Sequence, residues 1–268
     1  MMNADTVLFE RMEKGIGKIT LNTPPLNLMT VGLNERLNEI LDEVGGDDSI
    51  SVVILTGAGA KAFSAGADIK EFSTFVEKGT MVSEKLRFEC HVLNKLADLP
   101  QPVIAALNGI TLGGGLEMAL CCDYILMADH IKVGFPEIKI GLFPGSGGLV
   151  RLPRLIGRAR AKELMFFGNM ITAAEAKEMG MVNEVLPAED VLDRGIALAR
   201  QLAEMPRQSL RAIKRGVDDI FEMPPSQGIR YSLGLISQVL ASDDAKEGVD
   251  AFIHKREAHF NNRKGESK

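Results

Sequence analysis

Short apolar runs alternate with amphipathic stretches over most of the chain, and the C-terminal part keeps only helical periodicity. Thr6–Arg11 and Gly17–Leu21 flank the turn-like pair Lys14–Gly15 and predict a hairpin. Leu33, Leu37, Ile40, Leu41 and Val44 recur at helical spacing, which predicts a helix over 31–44. Ser51–Leu55 is a continuous apolar run of the kind covered on both faces of a sheet. After the glycine-rich GAGAKAFSAGAD, Asp68 and Glu71 have the spacing of a capping box and set a helix start. One long helical stretch is then expected to reach Leu99, where Pro100 and Pro102 punctuate it. Val103–Ala106 reads as a second buried strand, followed by the loop NGITLGGG, a short apolar helix and a strand over Tyr124–Met127. The alternation continues through VGFPEIKIGLFPGSGG to a helix over Ala173–Met179, closed by Gly180, and a strand over Val182–Val185.

From about Leu192 no further strand is expected. Pro206 and Pro224–Pro225 divide this region, giving helices over Gln208–Phe221 and Ser226–Leu240. A last helix is expected near Asp244, where Asp244 and Glu247 again have capping-box spacing. The pattern therefore predicts an α/β core over residues 1–200 and a helical region over 201–268, with the charged end NNRKGESK fraying.

Composition narrows the partners. The 268 residues are 46% hydrophobic and 25% charged, ordinary for a globular protein, and the net charge of −5 argues against nucleic acid. No apolar stretch reaches the ~18 residues of a membrane span, and the start MMNADTVLFERMEKG resembles neither a signal nor a transit peptide. Cys90, Cys121 and Cys122 form no even framework and have no metal-ligand spacing. These features point to a reduced, cytoplasmic setting without a metal site.

Three glycine loops could hold chemistry. Gly57-Ala-Gly59-Ala-Lys-Ala62 follows a strand and superficially fits a dinucleotide fingerprint, but Phe63–Gly66 interrupts the helix that fingerprint requires. Gly145-Ser146-Gly147-Gly148 could cradle an anion, and is read here as a plain glycine turn. Gly113-Gly114-Gly115 leads into the apolar LEMALCC and puts bare backbone at a helix start, where unpaired N–H groups favour negative charge. Such a corner can stabilise an oxyanion on a thioester carbonyl, with a second donor from the Gly66–Ala67 backbone; close packing alone is the competing explanation.

Two carboxylates lie in apolar surroundings. Glu117 is on the same side of the first helical turn as Gly114, and Glu137 lies between Pro136 and Ile138. Each alone could be structural, for Glu137 through a salt bridge to Lys139 or a distant arginine. Together they suggest acid–base chemistry, with burial raising a carboxyl pKa toward the working pH. No histidine has ligands at metal spacing, and no serine sits in a nucleophile elbow.

The runs AFSAGADIKEF, PVIAALNGITLGGGLEMALCCDY and FPEIKIGLFPGSGGLVRLPRLIG, with AFIHKREAHF near the end, closely resemble the crotonase (enoyl-CoA hydratase/isomerase) superfamily in order and spacing. The resemblance implies a spiral of ββα turns, a C-terminal helical trimerisation region, and a homo-oligomer, a trimer or a dimer of trimers. It implies an acyl-CoA thioester substrate and no cofactor beyond the CoA that belongs to that substrate. The family's oxyanion donors fall on the N–H groups of Ala67 and Gly114, and the two catalytic glutamates of its hydratases on Glu117 and Glu137. The resemblance also points to Leu26, Leu28, Ala65, Gly66, Asp68 and Ile69 for CoA, and to Phe252 and Lys255 from a neighbouring subunit. NTPPLNLMT departs from the polar-plus-alanine run of many relatives, and Phe72–Arg87 is expected to line the acyl pocket. The expected reaction is hydration of a trans-2-enoyl-CoA. Alternatives are a Δ3,Δ2-enoyl-CoA isomerase, a hydratase of cyclic dienoyl- or carnitinyl-CoA, and a non-catalytic RNA-binding member.

Overall fold

The computed structural model describes residues 5–261. The chain begins with the hairpin β1 (Val7–Met12) and β2 (Ile16–Leu21), turned by Lys14 and Gly15 at φ 59° and 72°. Helix α1 (Val31–Gly45) starts at Thr30, whose hydroxyl accepts the Leu33 N–H, and buries Leu33, Leu37, Ile40, Leu41 and Val44. There follow β3 (Val52–Gly57), β4 (Ala62–Ser64), α2 (Ile69–Lys78) and α3 (Arg87–Ala97). Next come β5 (Val103–Leu107), β6 (Ile110–Leu112), α4 (Gly114–Ala119), β7 (Tyr124–Ala128) and β8 (Lys132–Gly134). A 3-10 turn over Pro136–Ile140 leads to α5 (Gly148–Ile156), α6 (Arg158–Phe167), β9 (Met170–Thr172), α7 (Ala173–Glu178) and β10 (Glu184–Leu186). Four helices complete the chain: α8 (Val191–Ala203), α9 (Arg207–Ile220), α10 (Pro225–Leu240) and α11 (Asp243–His254).

The strands fall into two sheets, ordered β1-β2-β3-β5-β7-β10 and β4-β6-β8-β9. Each turn of the chain leaves one strand in the larger sheet and the next in the smaller: β3 then β4, β5 then β6, β7 then β8. This is the expected ββα spiral. Pairing in the larger sheet is parallel from β2 onward. Every residue of β3 and β5 is buried, as their unbroken apolar runs require. Helix α8 packs on β3, β5 and β7, with Gly195 against Leu126 and Ile54. Each fully buried Val, Leu or Ile in this layer contributes roughly 1.5–3 kcal/mol.

Several local expectations were wrong. The stretch from 68 to 99 is three segments: Gly79, at φ 69°, ends α2, and a π-helical turn over Met81–Leu86 precedes α3. A glycine in the left-handed region ends a helix where a side chain would resist. Asp68 does cap α2 by accepting the Lys70 N–H, but Glu71 completes no capping box and instead accepts the Val31 N–H. Near the end, Ser242 caps α11; Asp244 accepts from Asn261 N–H and Glu247 pairs with Arg256. The strand expected over 182–185 is β10, shifted to 184–186. Helices α5 and α6 were not foreseen, because glycines and Pro153 mask their periodicity. Most of NNRKGESK lies outside the described residues.

Candidate active site

Two backbone segments, 65–67 and 112–114, meet where two turns of the spiral come together. Ala65 N–H donates to the Leu26 carbonyl and Met29 N–H to the Gly66 carbonyl, both at 2.9 Å, and Met29 and Ala67 form an isolated parallel bridge. In such a bridge the hydrogen bonds to the partner strand come from the residues on either side, so the Ala67 N–H points away from Met29. Gly114 is the first residue of α4, so its N–H precedes the first intrahelical bond. Residue 66, next to Ala67 in the chain, lies against this helix start: a Cβ on Gly66 would stand 3.4 Å from the Gly114 nitrogen and 2.9 Å from the Leu112 carbonyl oxygen. Only glycine, with φ 90° at 66, allows this approach.

Glu117 lies one turn into α4, with the residue 2% exposed. Its Oε1 accepts the N–H groups of Ser146 and Gly148, each at 2.7 Å. The 145–148 turn therefore does cradle an anion, an internal carboxylate, which corrects the plain-turn reading. Burial pushes the Glu117 pKa up to about 7; the charge of Glu89 and, more weakly, of Glu137 adds to the rise, and the two amides oppose it. Glu137 reaches the same helix start from the 3-10 turn, and a Cβ on Gly113 would stand 2.8 Å from its Oε1. Its buried Oε2 has no hydrogen-bond partner, and burial raises its pKa. No ion pair joins Glu137 to Lys139 among the described residues.

The structure thus brings Glu117, Glu137, Ala67 and Gly114 to one corner, with Leu26, Ala65 and Gly66 beside it. Leu28 precedes the bridge residue Met29, Asp68 caps α2, and Ile69 is half exposed. Phe252 is 86% exposed near the end of α11, and Lys255 has no hydrogen bond or ion pair from its ammonium among the described residues. Nothing joins this pair to residues 26–28 or 65–69 by hydrogen bond within one chain. In the segment expected to line the acyl pocket, Val76 on α2 and Val82 on the π-helical turn are exposed. No helix among the described residues is long and apolar enough to cross a membrane.

Sequence reasoning missed Lys85 and Glu89 and read Ser146 only as part of a turn; all three are buried. In FECHVLN, Glu89 looks like one more exposed helical charge, and only the fold turns it inward. The Cys121 thiol is buried and the Cys122 thiol partly so; desolvation pushes both upward, Cys121 to about 12, so neither is a nucleophile at neutral pH.

Two amides and two carboxylates converging on a helix start, carried by a ββα spiral, define the crotonase class of proteins. The sequence profile described as enoyl-CoA hydratase/isomerase matches residues 11–263, and the chain belongs to that family. It is 39% identical over 263 residues to a protein of Mycobacterium bovis named "Probable enoyl-CoA hydratase", covering 98% of this chain and 100% of that one. It is 36% identical to the mitochondrial enoyl-CoA hydratase of Pongo abelii, covering 96% of this chain and 88% of that one. The crystal structure of an enoyl-CoA hydratase from Bacillus anthracis superposes with TM-score 0.91 at 36% identity, covering 96% of this chain and 100% of that one.

Proposed function

We propose that the chain is an enoyl-CoA hydratase, adding water across the 2,3 double bond of a trans-2-enoyl-CoA to give a 3-hydroxyacyl-CoA. The observation that carries this reading is that Glu117 and Glu137 both flank the α4 start beside the Ala67 and Gly114 amides. The thioester oxygen sits between those two N–H groups, which polarise the conjugated double bond. As water attacks C3, charge develops on that oxygen; losing one such donor costs ~3 kcal/mol of transition-state stabilisation. Glu117 takes a proton from the water and Glu137 delivers one to C2.

Both carboxyls are raised above the ordinary carboxylate range, chiefly by burial. In the free protein Glu117, the more deeply buried, holds a proton the more readily. An entering acyl chain removes water from the open side of Glu137 and raises its hold on the proton, which leaves Glu117 ionised toward the water. The chemistry needs no cofactor, since CoA is part of the substrate.

The same reading includes a homo-oligomer, a trimer or a dimer of trimers, a cytoplasmic location, and CoA contacts from Leu26, Leu28, Ala65, Gly66, Asp68 and Ile69. Phe252 and Lys255 are supplied by a neighbouring subunit. The test is product analysis with crotonyl-CoA and 3-hexenoyl-CoA. Loss of the conjugated-thioester absorbance, dependent on both glutamates, supports hydration. Conversion of only the 3-enoyl ester would establish an isomerase instead, and full activity in Glu117→Gln would overturn the two-carboxylate mechanism.

A further inference from the structure

Beneath the oxyanion corner lies a buried polar cluster that the reaction above does not use. Lys85, on the π-helical turn, is 2% exposed. Its Nζ donates to the Met29 carbonyl at 3.2 Å and lies 3.4 Å from Glu71 Oε2 and 3.6 Å from Glu89 Oε2. Glu89 is buried; its Oε1 accepts the Ser146 hydroxyl at 2.5 Å, while its Oε2 has no hydrogen-bond partner. Ser146 in turn donates its N–H to Glu117. One continuous path therefore runs from the Met29 carbonyl through Lys85, Glu89 and Ser146 to Glu117. Met29 is the residue bridged to Ala67, and a Cβ on Gly114 would stand 3.5 Å from Glu89 Oε1.

Burying two charges costs several kcal/mol each, and an ion pair at 3.6 Å recovers that poorly. Apolar residues of similar size at 85 and 89 would serve folding at least as well. An apolar residue cannot, however, place a charge behind Glu117 or hold the Ser146 hydroxyl.

We propose that Glu89 is a positioning residue for the hydration reaction, holding through Ser146 the turn that grips Glu117 and setting a negative charge behind that carboxyl. The proposal rests on the hydratase reading. Its electrostatic part has a direct counterpart: after burial, the charge of Glu89 is the largest influence raising Glu117, ahead of Glu137. The other titratable or charged groups around Glu117 are Cys90 on α3, Cys121 after α4 and Arg151 on α5, while Lys85 and Glu71 face Glu89.

The test compares E89Q, E89D and the parent chain by infrared titration of the protonated-carboxyl band that is lost in Glu117→Gln. E89Q keeps an oxygen for the Ser146 hydroxyl but removes the charge and leaves Lys85 paired with Glu71 alone, so the Glu117 midpoint should fall by about one pH unit. E89D keeps the charge and should stay near the parent. In crotonyl-CoA hydration E89Q should lower kcat with KM unchanged. A midpoint in E89Q that coincides with the parent's, or an equal displacement in E89D, overturns the proposal. Should E89Q fail to fold, S146A decides: it removes the donor to Glu89 and should lower kcat about tenfold at constant KM; an unchanged kcat overturns the proposal. The infrared midpoint is read without substrate, so absence of hydration by the parent chain would sink the hydratase reading alone.

Discussion

Gly148 and Glu117 are fitted to each other closely enough that neither tolerates a larger neighbour. The Gly148 N–H donates to Glu117 Oε1 at 2.7 Å, while a Cβ on Gly148 would stand 3.1 Å from that oxygen and 2.8 Å from the Pro144 Cβ. Proline cannot retreat without moving the turn. Gly148→Ala should therefore displace the carboxylate, lowering kcat by about tenfold to a hundredfold and stability by roughly 1–3 kcal/mol. Steady-state kinetics beside chemical denaturation check both, and parental kcat in a folded variant would show that the fit is not needed.

Glu117→Gln separates catalysis from folding. The amide oxygen can still accept the Ser146 and Gly148 N–H groups, so the turn should hold, while kcat falls by about a hundredfold or more as the proton acceptor is lost. Stability should move the other way. The folded-state pKa of Glu117, about 7, lies above its ordinary 4.5. The fold therefore binds the proton more tightly than the unfolded chain does, and the stability this supplies is full below about 4.5 and lost as pH rises through about 7. The parent should lose stability across that window and the variant should not. At pH 8 the variant should be the more stable, by an amount on the order of 3 kcal/mol. Melting curves at pH 5 and pH 8 decide it; parallel pH dependences would show that Glu117 does not carry the shift.

Gly113 is bound by a different constraint. Its backbone lies at φ 53° and ψ −127°, and a Cβ there would stand 2.8 Å from Glu137 Oε1. An alanine pays for the backbone conformation, about 1–3 kcal/mol, and also pushes Glu137 away from the corner. Gly113→Ala should thus lower Tm and reduce kcat more than it raises KM. A variant with unchanged kcat would place Glu137 outside the reaction.

These glycines also show what the sequence made legible. The GGG run before LEMALCC announced a bare helix start, and Glu117 and Glu137 stood out as charges in apolar runs, because both signals are local. The grip of Ser146 and Gly148 on Glu117 spans about thirty residues of chain, and nothing in GSGG alone separates a cradle from a turn. Glu89 and Lys85 were invisible for a related reason. Their burial follows from Gly79 ending α2 and from the π-helical turn, which shifts the face that α3 presents. The paired sheets were legible only in part, since β4, β6, β8 and β9 are three residues each, too short for periodicity to register.

The C-terminal helices carry the last prediction. Ile213 and Val217 on α9, Phe221 at its C-cap, and Ile229, Leu233 and Leu240 on α10 are exposed in the single chain, each by 61% or more. So many large apolar side chains in one helical pair exceed what a monomer ordinarily leaves to water, and a second copy of the chain is the occupant that the proposed assembly supplies. Leu233→Glu should then shift the protein to smaller species in sedimentation velocity. If Lys255 reaches CoA bound by a neighbouring subunit, that dissociation should raise KM for crotonyl-CoA, and Lys255→Ala should raise it without changing the assembly. A screened charge contact also predicts that the KM difference between parent and Lys255→Ala shrinks with added salt. An intact KM in the dissociated variant would place Lys255 away from the substrate.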